Sequence, residues 1–184
     1  ATRLLESVSR DRPEDVEIHR LLAETYERTG YEEGFISHLK AALEHADLKA
    51  DLYHDLAKYY LRNKRRELAL EYFRKAVDAD TKFTAARFEL AQLYQQAGKT
   101  LEAFEHAKKC AEYDPNNPAY LTLFSQVAFQ MGKMEIAMDA VRRSLYQDST
   151  DAQSQAWAGY LFNKQRQTDS ARVYLATALR LDST

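Results

Sequence analysis

One cysteine, three prolines and five glycines among 184 residues exclude several architectures. A lone thiol, Cys110, allows no intrachain disulfide. So few breakers leave little material for a turn-rich β protein and favour helices. No apolar run approaches the ~20 residues that a helix needs to cross a bilayer, and no secretory core opens the chain. Charge of one sign is lacking too. With 26 Lys and Arg against 28 Asp and Glu, the net charge is −2, so no global field recruits nucleic acid or an anionic membrane. Catalytic signatures are also missing: there is no P-loop, GxGxxG or GxSxG. The five histidines, His19, His38, His45, His54 and His106, form no i, i+4 zinc pair. No catalytic residue, cofactor or metal ligand is assigned, and the chain reads as a non-enzyme.

What is present is a period. Ala23, Ala57, Ala91, Ser125 and Gly159 recur at one fixed interval of 34 residues. Rows of that length start at Val16, Ala50, Thr84, Pro118 and Ala152 and divide the chain into 16–49, 50–83, 84–117, 118–151 and 152–184. Leu22, Leu56, Leu90, Phe124 and Ala158 precede the small column, and Tyr26, Tyr60, Tyr94, Ala128 and Phe162 follow it three residues later. Spacings of three and four place these positions on one helical face. Gly30, Gly98 and Gly132, with Lys64 and Arg166 in the same column, end that helix.

A second helix carries Phe35, Ala69, Ala103, Ala137 and Ala171, then Leu39, Phe73, Ala107, Val141 and Leu175. A further small column, Ala42, Ala76, Cys110, Ser144 and Ala178, closes its stripe. Cys110 therefore reads as a buried small residue, with a reactive thiol as the alternative. Thr100 and Thr168 stand where N-caps of this helix are expected, and Asp80, Asp114, Asp148 and Asp182 mark its exit turn. No row buries its stripe alone, so stability comes from stacking neighbours.

These columns resemble the tetratricopeptide repeat (TPR) family along the whole chain. The resemblance implies an all-α, right-handed solenoid of antiparallel helix pairs, with about five repeats plus a leading half repeat. Carried back by 34, the register puts Ala1, Leu5 and Val8 on the second-helix columns. Residues 1–15 are thus expected to hold the second helix of a repeat whose first helix is missing, which makes the chain a piece of a longer array. The pattern departs from the family at Ala128, where an aromatic is usual, and at Phe35, where Ala is usual.

In that fold the first helices line a concave side that takes ligands. The helical phase opposite the core stripe puts Glu17, Arg20, Glu24, Glu27 and Arg28 there in the first row. In the second it puts Asp51, His54, Lys58, Leu61 and Arg62, extended by the basic turn Lys64–Arg66. The third and fourth rows are neutral: Phe88, Gln92, Gln95 and Gln96, then Thr122, Gln126, Phe129 and Gln130. Tyr160, Asn163 and Lys164 belong to the fifth. Glutamine amides donate and accept at once, so Gln92, Gln96, Gln126 and Gln130 can hydrogen-bond the backbone of an extended peptide, with Phe88 and Phe129 as apolar contacts. Lys58 and Arg62 are secondary candidates. These glutamines read equally well as solvated helix surface.

Chaperone-binding members of the family hold a carboxylate with Lys/Arg and Asn pairs. The asparagines are missing here, where Arg20 and Glu24, His54 and Lys58, and Phe88 and Gln92 stand, so that clamp is not expected. The expected function is a scaffold for a protein or peptide partner, with no nucleic acid and no membrane insertion. The alternatives are a self-association or assembly module working through its array ends, and a regulatory or targeting domain of a longer protein.

Overall fold

The computed structural model describes residues 2–182; Ala1 and the last two positions of the fifth row lie outside them. Among the described residues there are eleven helices and no strand. The chain divides into two compact units, Ala1–Phe83 and Thr84–Thr184. The first contains α1 (Thr2–Asp11), α2 (Val16–Thr29), α3 (Glu32–His45), α4 (Ala50–Arg62) and α5 (Arg66–Ala79). The second contains α6 (Thr84–Gln96), α7 (Thr100–Tyr113), α8 (Pro118–Gln130), α9 (Met134–Gln147), α10 (Ala152–Lys164) and α11 (Thr168–Asp182). From α2 onward, consecutive helices pair as hairpins, and each hairpin packs on its neighbour within the same unit.

The small column lies where helices meet. Ala57, Ala91 and Ser125 are fully buried and Ala23 is nearly so. At Gly159, an added Cβ would sit 2.7 Å from Leu175 Cγ and 3.2 Å from the Ala171 carbonyl, so α10 approaches α11 more closely than alanine permits. The facing columns of Ala69, Ala103 and Ala137 and of Ala42, Ala76, Cys110 and Ser144 are equally closed to solvent. Cys110 Sγ contacts the Thr84 carbonyl at 3.5 Å, and burial pushes its thiol up to about 12. It fills space and does not ionise. Phe35, the outlier of the alanine column, is buried by stacking on Tyr59 at 4.3 Å.

One backbone motif closes the first helix of every hairpin. Gly30, Gly98 and Gly132 have φ of 74°, 71° and 74°, and Lys64 and Arg166 adopt the same left-handed state at 60° and 62°. In each case this residue donates its N–H to the carbonyl three back, and the next residue donates to the carbonyl five back. Gly98 to Gln95 (3.1 Å) with Lys99 to Tyr94 (2.9 Å) is one instance; Lys64 to Leu61 (3.0 Å) with Arg65 to Tyr60 (2.9 Å) is another. This is the Schellman arrangement. It also corrects the expected caps. Lys99 is the N-cap of α7, and Thr100 and Thr168 are the first residues of α7 and α11. The residue before each threonine is already tied back to the first helix, which leaves no room for a separate capping residue. Side-chain caps occur instead on first helices. Asp15 accepts from Glu17 and Ile18, Asn117 from Ala119 and Tyr120, and Asp151 from Gln153 and Ser154, each contributing about 1 kcal/mol. At the exits, Asp80 and Asp148 accept from the backbone N–H two residues on, and Asp148 is held below the usual carboxylate range by its bonds to Thr150.

In the first unit, a histidine pair joins α2 to α3 and to the turn that follows α1. His19 is buried, with Nε2 3.0 Å from the Pro13 carbonyl and Nδ1 2.9 Å from His38 Nδ1. A carbonyl only accepts, so His19 Nε2–H donates to it. Neutral His19 then offers a lone pair at Nδ1, and His38 Nδ1–H donates across. Tyr26 stacks on His38 at 5.5 Å and donates to the Glu6 carboxylate, which raises its phenol to about 12.

Two predictions follow from these turns and rings. A non-glycine residue at positive φ carries a penalty that glycine avoids, so Lys64→Gly should stabilise the chain by ~0.5–1 kcal/mol in urea denaturation. Gly98→Ala should destabilise it by ~1 kcal/mol, because open space around its Cβ leaves only the dihedral cost. The second concerns pH. Burial first, then His19, holds His38 below the ordinary imidazole value, against a smaller upward pull from Glu6. The folded state then binds fewer protons at this site than the unfolded chain. Its stability is therefore complete above about pH 6.5 and declines as pH falls through that value toward the lowered one. His54, lowered by burial and Lys58, acts in the same direction; Asp55, raised by burial, opposes them in the carboxylate range. The melting temperature should be lower at pH 5.5 than at 7.5, and His38→Asn should narrow the difference. An unchanged difference would remove His38 as its source.

Candidate functional site

The first helices of the two units present different chemistry. In the Thr84–Thr184 unit, α6, α8 and α10 lie side by side, with α8 in contact with both others. Their positions away from the core carry the neutral residues expected from the sequence. Phe88, Gln92, Gln126 and Phe129 are half-buried, and Gln96 and Gln130 are exposed. Gln96 has an interaction partner, whereas the side-chain amides of Gln92, Gln126 and Gln130 take none among the described residues. Helix α8 contains no charged residue, and α10 contains one, Lys164.

Phe129 belongs to a three-ring cluster. Its centroid lies 5.7 Å from Trp157 at 81° and 5.5 Å from Tyr160 at 83°, while Trp157 and Tyr160 stack at 5.0 Å and 19°. The Trp157 indole N–H donates to Ser125 Oγ at 2.8 Å, and Ser125 donates to the Ala137 carbonyl at 2.6 Å. The indole is thereby fixed, and the Lys164 ammonium sits 5.1 Å from the Tyr160 centroid. Such edge-to-face and offset pairs are worth ~0.5–1.5 kcal/mol beyond area burial. Trp157 was not among the expected site residues. It falls two residues before the small column, where other rows carry the exposed Leu21 and the buried Leu123, and its spacing of three from Tyr160 puts both on one side of α10. Phe88 pairs separately with Tyr120 at 5.2 Å.

Thr122 is not on the open face. It is buried, with its hydroxyl 2.9 Å from Ser144 and 2.6 Å from Ser154; those two are 2.8 Å apart, and Ser144 donates to the Pro118 carbonyl at 3.0 Å. Ser154 also donates to Asp151. The small side chains at Ser144 and Ser154 let α8, α9 and α10 meet there, and a buried hydroxyl must find partners. This joins the three helices through a closed polar cluster.

In the Ala1–Phe83 unit, Lys58 and Arg62 line a cavity of about 380 Å³ between α2 and α4, floored by Phe35 and Leu39 of α3. Its rim is ionic. Arg62 pairs with Glu27, Arg20 lies 4.0 Å from Asp55, and Glu24 is drawn 2.7 Å to Arg28. Burial pushes the Asp55 carboxyl up, against Arg20. Arg62 is therefore committed to a carboxylate of the neighbouring hairpin. Arg65 is likewise engaged with Glu32 at 2.5 Å, so part of the basic turn works as hairpin-to-hairpin pairing.

Comparison with known proteins agrees with this architecture. The family model for the anaphase-promoting complex, cyclosome, subunit 3 matches residues 63–144. No curated protein matches the chain in sequence. YrrB, described as a TPR protein with an unusual peptide-binding site, superposes with a TM-score of 0.79 at 17% identity, over 98% of this chain and 93% of its own. MamA from Desulfovibrio magneticus RS-1 gives 0.77 at 12% identity, over 91% and 95%. PilF of Pseudomonas aeruginosa gives 0.74 at 22%, over 94% and 78%. At these identities the likeness is one of fold, and the fold is that of the tetratricopeptide repeat. Among the described residues no helix is long and apolar enough to cross a membrane.

The hydroxyl cluster yields a test. Thr122→Val keeps the shape of the side chain and leaves Ser144 and Ser154 one partner short, which should cost ~1–2 kcal/mol in chemical denaturation. A neutral outcome would place Thr122 in solvent.

Proposed function

We propose that this tetratricopeptide-repeat chain is a non-enzymatic scaffold that holds an extended segment of a partner protein against α6, α8 and α10. The observation that carries the reading is the surface of α8. Gln126 and Gln130 bring uncommitted amides beside the half-buried ring of Phe129, on a helix with no charge. Amide groups of this kind bond a peptide backbone whatever its side chains, and a partly buried aromatic provides the anchor that often dominates an interface. Gln92, Gln96 and Phe88 extend the same face onto α6. Lys58 and Arg62 belong to a separate, ionic cavity and are secondary contacts. The description of YrrB as having a peptide-binding site supports peptide capture on this fold.

A second reading has its own observation. Leu175 and Leu179 of α11 are exposed and stand one turn apart on one helical side, an apolar surface able to mediate self-association or assembly into a larger complex.

Affinity capture from a source lysate, comparing wild type with the Gln92→Ala, Gln126→Ala, Phe129→Ala triple variant, separates the two. The peptide-face reading expects one protein to be lost from the variant while its helical circular dichroism stays unchanged. An identical set of captured proteins would overturn it and leave the α11 face as the working surface.

A further inference from the structure

We infer that the segment taken by α8 and α10 is proline-rich and extended, with an acidic side chain directed at Lys164; this rests on the peptide-face reading above. The rings are fixed before any ligand arrives. Trp157 is tied to Ser125 at 2.8 Å and stacked on Tyr160, and Phe129 stands nearly perpendicular to both. Rigid aromatic faces suit a rigid, saturated ring, because neither side then loses much rotamer freedom on contact. A polyproline segment supplies such rings. Its carbonyls have no internal partner and its prolines have no N–H, so it needs donors more than acceptors. The NH2 groups of Gln126 and Gln130 are donors of that kind.

The period also matches. Packed helices lie ~8–10 Å apart, and three residues of polyproline helix advance about 9 Å. A segment crossing from α8 to α10 therefore returns the same side of its helix to each.

Charge narrows the choice further. Helix α8 has no ionised side chain and α10 has only Lys164. A basic segment would meet no carboxylate on these two helices and one repulsive ammonium. That ammonium lies over Tyr160 at 5.1 Å, within reach of a ligand carboxylate. An acidic residue beside the prolines completes the complement.

Trp157 is the single tryptophan of the chain, so its fluorescence reads occupancy of this site directly. The probes are acetylated synthetic peptides with three repeats of Pro-Pro-Glu, Pro-Pro-Lys or Gly-Ser-Glu. The Pro-Pro-Glu peptide should give a saturable change, the Pro-Pro-Lys peptide should bind about threefold more weakly, and the Gly-Ser-Glu peptide should give no saturable change. Tyr160→Ala should weaken the first by about tenfold, and Lys164→Gln, which touches no core position, should abolish the preference for Glu over Lys. Equal binding of the Gly-Ser-Glu and Pro-Pro-Glu peptides overturns the proline requirement, and equal binding of the Glu and Lys peptides overturns the role of Lys164. If no proline peptide binds but the triple variant still loses its partner in the capture experiment, the proline class is wrong and the peptide face stands. If capture is also unchanged, both fall.

Discussion

Every hairpin of this chain depends on one residue being left-handed. Five times the first helix ends in a φ between 60° and 74°, and five times the next N–H is spent on a carbonyl five residues back. The second helix then begins with no intervening loop. The register of the two helices follows from the backbone bonds alone, and the small columns are the positions that this register presses together. Ala91 and Ser125 are closed to solvent because the turn leaves their helices no other spacing, and Gly159 shows the limit of that pressure. Lys64 and Arg166 adopt the same state, so the motif holds even where the residue type opposes it.

Positions governed by period alone were legible in the sequence. The buried columns, the left-handed glycines and the aspartates at the exits all follow from an interval of 34 and the shape of a helix. The failures came where two side chains decide the matter together. Thr100 and Thr168 are good capping residues by type, but the Schellman bonds leave a cap nothing to do. The helical phase puts Thr122 on the open side of α8, yet it turns inward because Ser144 and Ser154 leave room and hydroxyls for it. Trp157 shares the open side of α10 with Tyr160, but its bond to Ser125 of the neighbouring hairpin is a pairing that period alone does not show. Arg62 looked available, and its charge is spent on Glu27. Period cannot reveal pairings between repeats, because each partner sits at an ordinary surface position of its own helix.

The units divide the chemistry of their first helices. In one, cations and carboxylates from α2 and α4 face each other over an apolar floor and satisfy much of their own demand. In the other, α8 and α10 offer amides and rings with almost no charge. A self-paired ionic rim gives little net attraction to a charged partner, since binding must first separate existing pairs. Uncommitted amides carry no such cost, which is why the neutral face carries the functional reading.

The reach of these contacts also bears on how the chain acquires its structure. Pairings such as Glu27 with Arg62 and Thr84 with Tyr120 span 35 and 36 residues, about the length of one repeat. A chain assembled from contacts of that range closes only short loops, so the entropy lost before each gain is small and its folding rate belongs with helical proteins of low contact order. Within each unit, a hairpin emerging from a ribosome can dock on the one before it without waiting for distant sequence. Synthesis and folding can then advance together, one repeat at a time.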